Sequence, residues 1–404
     1  MKISLDYGAA EPLSLETGRD LPAAIQHGPT AIVDTAAAVE AAVTAPVAGP
    51  PLAAHVVPGD RVVIGVAGHL PGGNSTRDAL QAVITEQLVS GGVAEGDITF
   101  LTAPSLALLG EPQSDAPRTA VNDDLMFDPA HADQTAYLLA DEAGEPLHLA
   151  RLLVDADVVL SVGAFGYDAS LGGRSPEGEL WPSFARADRR QQFARAIVRH
   201  PRAALTSWRS RSQEVSHQLG IMACLRLVTG QGDSVGGVAF GLPEAATAAA
   251  RDMARPWRPQ QSPSSLTIAA ISRPDCDFAD LTRAVAAAAR TTQPAGTVCV
   301  ACRLAEPPGI VFNRWRQGAK LSPLIREAAG AGDTSLLAEA LQTKLFARAL
   351  GERRLVLLSQ LDQDLVEDLD IGHAASADAI NRLIQQADSV TVLHEANHFC
   401  PRRA

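Results

Sequence analysis

A short apolar run in the middle of the chain is followed at once by a loop rich in glycine. Val158–Val162 reads VVLSV and lacks polar alternation, which is typical of a parallel strand buried on both faces. The loop after it contains Gly163, Gly166, Gly172 and Gly173. Open α/β sheets bind ligands in loops that leave the carboxyl ends of such strands. The pattern therefore predicts an α/β fold with a ligand site in this loop.

Strands alternate with helices along much of the chain, which predicts parallel sheets joined by right-handed crossovers. Residues 256–265, PWRPQQSPSS, have no periodicity and interrupt this alternation. A chain of 404 residues is long enough for two domains. We therefore expect two Rossmann-like α/β domains, residues 1–257 and 264–404, with mostly parallel sheets and a cleft between them.

The composition argues against several classes of protein. A net charge of −12 disfavours nucleic-acid binding, which needs a basic face. Apolar runs are too short for a transmembrane helix, so we expect no membrane partner. Five scattered cysteines and the lack of a signal peptide indicate the cytoplasm. Cys299 and Cys302 have a CxxC spacing, but on a strand they would point to opposite faces, so we assign no metal site.

A second candidate anion site follows the strand RVVIGVA, Arg61–Ala67. The loop after it leads into a helix, whose first N–H groups are free to meet an anion. The residues placed to do so are Gly72, Gly73, Ser75, Thr76 and Arg77. A well-capped helix after a tight turn is the alternative interpretation. His69 lies in the same loop and is a candidate general base, with an ordinary loop histidine as the alternative.

The order of these elements resembles that of the nickel-dependent lactate racemases and their homologues. The matching segments are RVVIGVAGHLPG, FDPAHADQ, ADVVLSVGAFGYDASLGGRS, FGLPEAA, SLTIAAISRPDCD, LQTKLFARAL and SVTVL. They are spread over nearly the whole chain, so the resemblance implies the two-domain fold of that family. It also implies a nickel-pincer nucleotide, a cofactor that accepts a hydride from the 2-carbon of a hydroxy acid.

The chain differs from the family at the positions that carry function. Typical members have an Asp and an Arg after the first strand and a His after the next strand. Their glycine loop has a His and then a Lys that holds the cofactor covalently. Here these positions read Ala67-Gly68-His69-Leu70, Pro104-Ser105-Leu106, Tyr167-Asp168 and Ser175. The lysines of the chain are Lys2, Lys320 and Lys344, far from this loop in sequence. The covalent link therefore cannot form as in the family, and the cofactor stays unknown.

The glycine loop keeps candidates for binding and catalysis. Gly172, Gly173 and Arg174 match the family and form a turn that could hold a phosphate, and Ser175, which follows them, is a further candidate for cofactor binding. Tyr167 and Asp168 stand where a family histidine falls and are candidates for acid–base catalysis. A solvated or ion-paired carboxylate, beside Arg174 and Glu177, is the alternative for Asp168.

Two further motifs lie in the second half of the chain. Arg314 and Trp315 are candidates for substrate binding in the cleft, because Arg binds carboxylates and Trp closes over them. A tryptophan that covers a core is the alternative. His394–His398 reads HEANH and fits the HExxH zinc pattern, but that pattern needs a helix and here it directly follows a strand. We interpret the match as coincidental, with a noncatalytic metal contact that involves Cys400 as the alternative.

Two hypotheses about function follow. The first is a divergent racemase or epimerase of a small 2-hydroxy acid that lacks the covalently held nucleotide. The second is a catalytically inactive protein that binds a small carboxylate or nucleotide in the interdomain cleft and serves in binding or regulation.

Overall fold

The computed structural model describes residues 2–18, 21–104, 125–141, 144–176 and 178–403. Within these ranges the strands are β1 (Lys2–Leu5), β2 (Leu13–Glu16), β3 (Ala23–Gln26), β4 (Val62–Val66), β5 (Ile98–Thr102), β6 (Leu125–Met126), β7 (Thr135–Ala140), β8 (Pro146–Ala150), β9 (Val158–Phe165), β10 (Tyr167–Asp168), β11 (Gly173–Arg174), β12 (Cys224–Thr229), β13 (Val235–Gly241), β14 (Gln260–Gln261), β15 (Ser264–Ala270), β16 (Thr292–Ala301), β17 (Arg354–Leu358), β18 (Gly372–His373), β19 (Val390–Leu393) and β20 (Arg402–Arg403). The helices are α1 (Thr35–Thr44), α2 (Gly73–Ser90), α3 (Arg151–Asp155), α4 (Leu180–Ser183), α5 (Ala187–Arg199), α6 (Pro201–Gln218), α7 (Pro243–Met253), α8 (Phe278–Thr291), α9 (Ile310–Arg316), α10 (Leu321–Ala331), α11 (Thr334–Leu350), α12 (Gln363–Asp368) and α13 (Ala377–Gln385).

The first large sheet has the strand order β13–β12–β9–β4–β5–β6. Only β13 is antiparallel to its neighbour among these described strands. All five residues of β4 are buried, and most of β9 is buried as well. Burial on both faces explains why these runs lack polar alternation. The strand predicted at Val158–Val162 is confirmed and extends to Phe165.

The second large sheet has the order β18–β17–β16–β15–β19–β3, with every neighbouring pair parallel. Its last strand, β3, comes from the N-terminal part of the chain. The hairpin β1–β2 packs Leu5 and Leu15 into the same core as Ile268. The division into residues 1–257 and 264–404 stays a prediction, and the structure adds that β1, β2 and β3 pack with the second sheet. The expected α/β fold with mostly parallel sheets is confirmed.

Three helices begin at aspartates that cap them. Asp34, Asp277 and Asp333 precede α1, α8 and α11, and each carboxylate accepts a hydrogen bond from a backbone N–H of the first turn. Helix α6 was not predicted from the sequence, although proline, here Pro201, is a typical first residue of a helix. Among the described residues, no helix is both long and apolar enough to span a membrane.

The cysteines are buried and unpaired in the described part of the chain. Cys299 lies in the core on one side of the second sheet, with Ile268 and Val392. Cys302 lies in the core on the other side, with Phe312 and Phe346. The prediction that these two cysteines point to opposite faces is confirmed, and the spacing alone brings no pair of thiolates together for a metal.

Each sheet has one point at which its strand order reverses. In the first sheet the chain moves outward from β4 through β5 on one side, while β9 starts the other side. In the second sheet the corresponding neighbours are β15 and β19. Loops that leave the carboxyl ends of strands at such a switch point diverge and leave room for a ligand. The loops after β4, β9, β15 and β19 are therefore the place to look for a site.

Candidate functional site

The loops from the two switch points meet each other. We call these segments, with the β12–β13 turn, the facing loops: residues 67–72, 166–175, 230–234, 271–277 and 394–400. The backbone N–H of Gly232 donates to the carboxylate of Glu395, which also accepts from Ser272 Oγ at 3.3 Å. Arg283 Nε lies 3.7 Å from Asp168 Oδ2. Polar contacts thus join the carboxyl ends of the two sheets.

His69 lies at the edge of this junction. Its Nε2 is 3.9 Å from Oδ1 of Asp233, and about half of its side chain is exposed (53%). The backbone of the same aspartate accepts a hydrogen bond from the N–H of Gly72 at 2.6 Å. A carboxylate near an imidazole can orient its ring. The geometry is compatible with the predicted general base, and equally with a surface ion pair.

The residues of the predicted anion site at the start of α2 differ in exposure and in the partners they contact. Gly72 and Gly73 have positive φ values, of 77° and 57°, as a tight turn requires. Thr76 is buried beneath the turn, whereas Ser75 is exposed. The guanidinium of Arg77 donates to Thr102 Oγ1 at 2.7 Å, so this arginine reaches toward the end of β5. The assignment of these residues to an anion stays a prediction.

Asp168 is buried and holds the glycine loop in shape. Its Oδ1 accepts from the backbone N–H groups of Ser170 (2.8 Å) and Leu171 (3.1 Å), and from the Ser170 hydroxyl. Its Oδ2 faces Arg283 of α8. Both oxygens are therefore engaged, which corresponds to the ion-paired alternative, although the partner is Arg283. The predicted acid–base role of Asp168 would require these contacts to open.

Tyr167 contributes a buried ring to the same loop. The ring makes an edge contact with Phe165, with centroids 5.7 Å apart. The Arg258 guanidinium lies over its face, 5.3 Å from the centroid. These contacts fix the ring at the junction of the two units. Glu177, Ser105 and Leu106 lie outside the described residues.

Arg174 points to a buried carboxylate. It forms an ion pair with Glu179, which also lies 3.1 Å from Arg226. The guanidinium sits over the Phe165 ring, 5.1 Å from its centroid. Burial lowers the pKa of Arg174 to about 9, so the group is still charged at neutral pH. A phosphate at Arg174 would have to compete with its ion pair to Glu179, and the phosphate role of Arg174 stays a prediction.

Arginines from three helices surround the exposed part of the glycine loop instead. Arg290 of α8 donates to the carbonyl of Ala169 (3.2 Å), and Arg348 of α11 donates to the carbonyl of Ser170 (2.7 Å). A Cβ atom on Gly172 would lie 3.2 Å from Nη2 of Arg290. A Cβ atom on Gly173 would lie 3.4 Å from Nη2 of Arg209, on α6.

The pKa of Arg348 reports how closely these charges are gathered. It is lowered by burial and then by the positive charges of Arg202 and Arg290, while the negative charge of Asp168 acts in the opposite direction. We call Arg202, Arg209, Arg290 and Arg348 the arginine cluster. In the described part of the chain, no carboxylate lies within 4 Å of any of these four guanidinium groups. The cluster was not predicted from the sequence, because its members are far apart in the chain.

A buried carboxylate organises the second unit at this junction. Asp280 accepts from Arg283 Nη1 (3.0 Å) and from Asn397 Nδ2 (3.2 Å), and Arg273 Nη1 lies 3.6 Å from it. Asp280 is almost completely buried, with 1% exposure. It therefore ties the loop after β15 and the loop after β19 to the start of α8.

The HExxH match does not form a zinc-protease helix. β19 ends at Leu393, and a single 3-10 turn follows at Ala396–His398. His394 stacks on His27, with ring centroids 4.1 Å apart, whereas His398 lies against Trp257. The described residues contain no group of three or more His, Cys, Asp or Glu side chains placed to hold a metal.

Arg314 and Trp315 lie on α9 and have partners within the second unit. Arg314 pairs with Glu327 of α10 at 3.1 Å, and both side chains are about half exposed. The Trp315 ring contacts Phe312 and Phe346, at centroid distances of 5.4 and 6.4 Å. This packing corresponds to the alternative in which Trp315 covers a core, and substrate binding by this pair stays a prediction.

We expect His398 to make the protein less stable in acid. Burial lowers the pKa of His398, and of His394, to about 4. Between pH 6.5 and 4 each of these two histidines takes up a proton in the unfolded chain but not in the folded chain. The free energy of unfolding therefore decreases as the pH is lowered through this range. His398→Gln should therefore reduce the loss of unfolding free energy over this range by about 3 kcal/mol.

The measurement is urea unfolding at several pH values for wild type and variant. The raised pKa values of Glu395 and Asp277 act in the opposite direction, but they are present in both proteins and cancel in the difference. Equal slopes of unfolding free energy against pH in the two proteins would contradict the prediction.

The comparisons with known proteins identify a fold and no family. No family description matches the chain, and no curated protein matches its sequence. The chain is similar in structure to the lactate racemase apoprotein from Thermoanaerobacterium thermosaccharolyticum, with a TM-score of 0.73, 15% identity and 100% of both chains covered. It is also similar to a Thermotoga maritima protein, with a TM-score of 0.55 and 11% identity over 87% of this chain and 96% of the other. The fold is therefore lactate racemase-like.

The nickel-pincer nucleotide implied by the resemblance does not fit the residues of this chain. Ser175 stands where the family has its lysine, and Lys344 donates to the last carbonyls of α5, those of Val198 and Arg199. Arg174, in the matching turn, is neutralised by Glu179. The remaining donor set at the glycine loop is guanidinium, which does not ligate metals but binds oxyanions well.

Proposed function

We propose that this protein binds a small anionic molecule, a carboxylate or a phosphate such as that of a nucleotide, between its two α/β units, at the turn Ser170–Gly173, where Gly172 is exposed. In this proposal the protein acts in binding or regulation. The observation that carries it is the arginine cluster, whose four guanidinium groups lack carboxylate partners among the described residues. The chain as a whole has a net charge of −12, so such a gathering of unneutralised positive charge is not a consequence of its composition.

Electrostatics supports an anion at this position. Like charges held close together repel each other, and partial burial strengthens the repulsion. A bound oxyanion would offset this repulsion by attracting the guanidinium groups, and it would accept several charge-assisted hydrogen bonds from them. Gly172 and Gly173 carry no side chains, so an anion can approach the backbone directly. Gly172 is itself exposed, which keeps the turn accessible.

The proposed ligand would contact both units. Arg209 belongs to α6, beside the first sheet, whereas Arg290 and Arg348 belong to the helices α8 and α11 of the second unit. Asp168 shapes the turn and faces Arg283, so the turn is already anchored across the junction. Binding would therefore add contacts that hold the two units together, which is a means of signalling the presence of the ligand.

The proposal is tested by titration calorimetry of the full chain with pyrophosphate, AMP and citrate. The double variant Arg290→Gln/Arg348→Gln should bind about a hundredfold or more weakly, because two charge-assisted hydrogen bonds of about 1.5–3 kcal/mol each are lost. Arg326→Gln/Arg382→Gln removes the same charge from exposed helix positions and should bind like wild type. Absence of binding in wild type, or equal binding by the two double variants, would contradict the proposal.

Racemisation or epimerisation of a small 2-hydroxy acid is the second candidate. It is favoured by the likeness to lactate racemase and by the pair His69–Asp233, which lies at the switch point of the first sheet. Interconversion of D- and L-lactate by the purified chain, lost in Asp233→Asn, would favour it over binding alone.

A further inference from the structure

A cavity of about 500 Å³ lies in the second unit, and none of its lining residues belongs to the facing loops. It opens at the carboxyl ends of β16, β17 and β18. These three strands lie on one side of β15, and β19 lies on the other. The loop of the N-terminal hairpin forms its remaining wall. It is lined by Tyr7, Ala9, Leu13, Cys302, Arg303, Leu358, Ser359, Gln360, His373, Ala374, Ala375, Ser376 and Ala377.

Arg303 is fixed at the wall of this cavity. With its side-chain amide turned so that both of its atoms find a partner, Gln360 accepts from Arg303 Nη2 at 2.9 Å and donates to the Arg303 carbonyl at 3.1 Å. No carboxylate lies within 4 Å of the Arg303 guanidinium in the described part of the chain. No Asp or Glu is among the lining residues, although the chain has 46 of them. The cavity is therefore positive, and its arginine is held in place without being neutralised.

The remaining lining combines an apolar surface with neutral polar groups. Leu13, Leu358 and four alanines provide the apolar part. The hydroxyl groups of Tyr7, Ser359 and Ser376 and the imidazole of His373 provide the polar part. An apolar concave surface with a few polar groups and one charge is typical of small-molecule sites, and the volume lies within their usual range of roughly 300–1,000 Å³.

We propose that this cavity binds a small organic anion, with its oxyanion head group on Arg303 and its apolar body against the leucine and alanine wall. The site is separate from the arginine cluster and does not depend on the function proposed above. Because β18 and the first turn of α13 form part of the lining, the ligand would contact three successive strand ends of the second sheet. Carboxylates and phosphate esters share the required head-group chemistry.

The test uses phenyl phosphate and benzoate as probes, which distinguish the two head groups. Titration calorimetry is done in the Arg290→Gln/Arg348→Gln background, so that binding at the arginine cluster is removed. The added substitution Arg303→Gln should weaken binding at least about tenfold, through loss of a charge-assisted hydrogen bond. Ala375→Trp, which fills the exposed rim of the cavity, should abolish it. The stronger probe identifies the head group.

The matched control is Arg354→Gln. Arg354 is exposed and lies at the amino end of β17, the opposite end of the strand whose Leu358 lines the cavity. Arg354→Gln removes one positive charge, as Arg303→Gln does, but at the end of β17 far from the cavity. It should leave binding unchanged. No binding of either probe in the background protein, or affinities that Arg303→Gln and Ala375→Trp leave unchanged, would overturn the proposal. Circular dichroism of each variant confirms that it is folded.

Discussion

Replacement of Glu179 by glutamine is expected to lower the free energy of unfolding by about 3–5 kcal/mol. Glu179 is buried, with 8% exposure, between Arg174 and Arg226, and it also accepts from Ser212 Oγ at 3.4 Å. Without its charge, two positively charged side chains stay in the core with no counterion. Removing one member of a buried ionic group costs this much because the desolvation of the other members is no longer offset.

Glu145→Gln is the control for this prediction. Glu145 pairs with Arg189 at 3.3 Å, but its side chain is 64% exposed, and such surface pairs contribute only about 0–1 kcal/mol. Urea unfolding of both variants measures the difference. Replacement of all three charged residues, as Arg174→Met/Glu179→Leu/Arg226→Met, should cost less than Glu179→Gln alone, since no unpaired charge is left behind. If both substitutions lowered the free energy of unfolding by a similar small amount, Glu179 would not be a buried counterion of Arg174 and Arg226.

Gly163→Ala is expected to destabilise the protein by at least about 3 kcal/mol. Gly163 lies in β9, and a Cβ atom there would collide with the carbonyl oxygen of Gly178 and lie 2.8 Å from its Cα. The obstacle is backbone, so no rotamer change relieves the clash. Gly178 has a φ of +85° and packs against the backbone of Ala164 in return, so neither chain segment can move aside without disturbing the other.

Gly166→Ala provides the matched control, three residues along the same segment. A Cβ atom on Gly166 has no neighbour within 4 Å, so the substitution should change the free energy of unfolding by less than about 1 kcal/mol. Thermal and urea unfolding of the two variants give the comparison. If Gly163→Ala were as stable as Gly166→Ala, the close approach of β9 to the segment before Glu179 would be wrong. That approach positions the glycine loop.

The sequence predicts the sheets well because their signals are local. Apolar runs such as RVVIGVA and VVLSV mark β4 and β9, and glycine loops mark their carboxyl ends. By contrast, β3 reads AAIQ, is only partly buried and was not predicted as a strand. It forms a strand because it pairs with β19. Short segments of low strand propensity depend on such tertiary pairing for their conformation.

The site was predicted less well because its residues are joined by the fold. Arg209, Arg290 and Arg348 lie on three helices, and no spacing in the sequence relates them to the glycine loop. Arg174 is the expected phosphate ligand because it follows Gly172-Gly173, and the sequence gives no sign that its guanidinium pairs with the buried carboxylate of Glu179. A charge that is neutralised inside the fold cannot be distinguished in sequence from one that is free to bind.

A crystal structure of the full chain grown with pyrophosphate tests the central claim most directly. The account predicts an anion against the turn Ser170–Gly173, with guanidinium groups of Arg209 from the first unit and of Arg290 and Arg348 from the second in hydrogen-bond contact with it. An empty turn with these arginines paired to carboxylates, or pyrophosphate bound only elsewhere, would contradict the account.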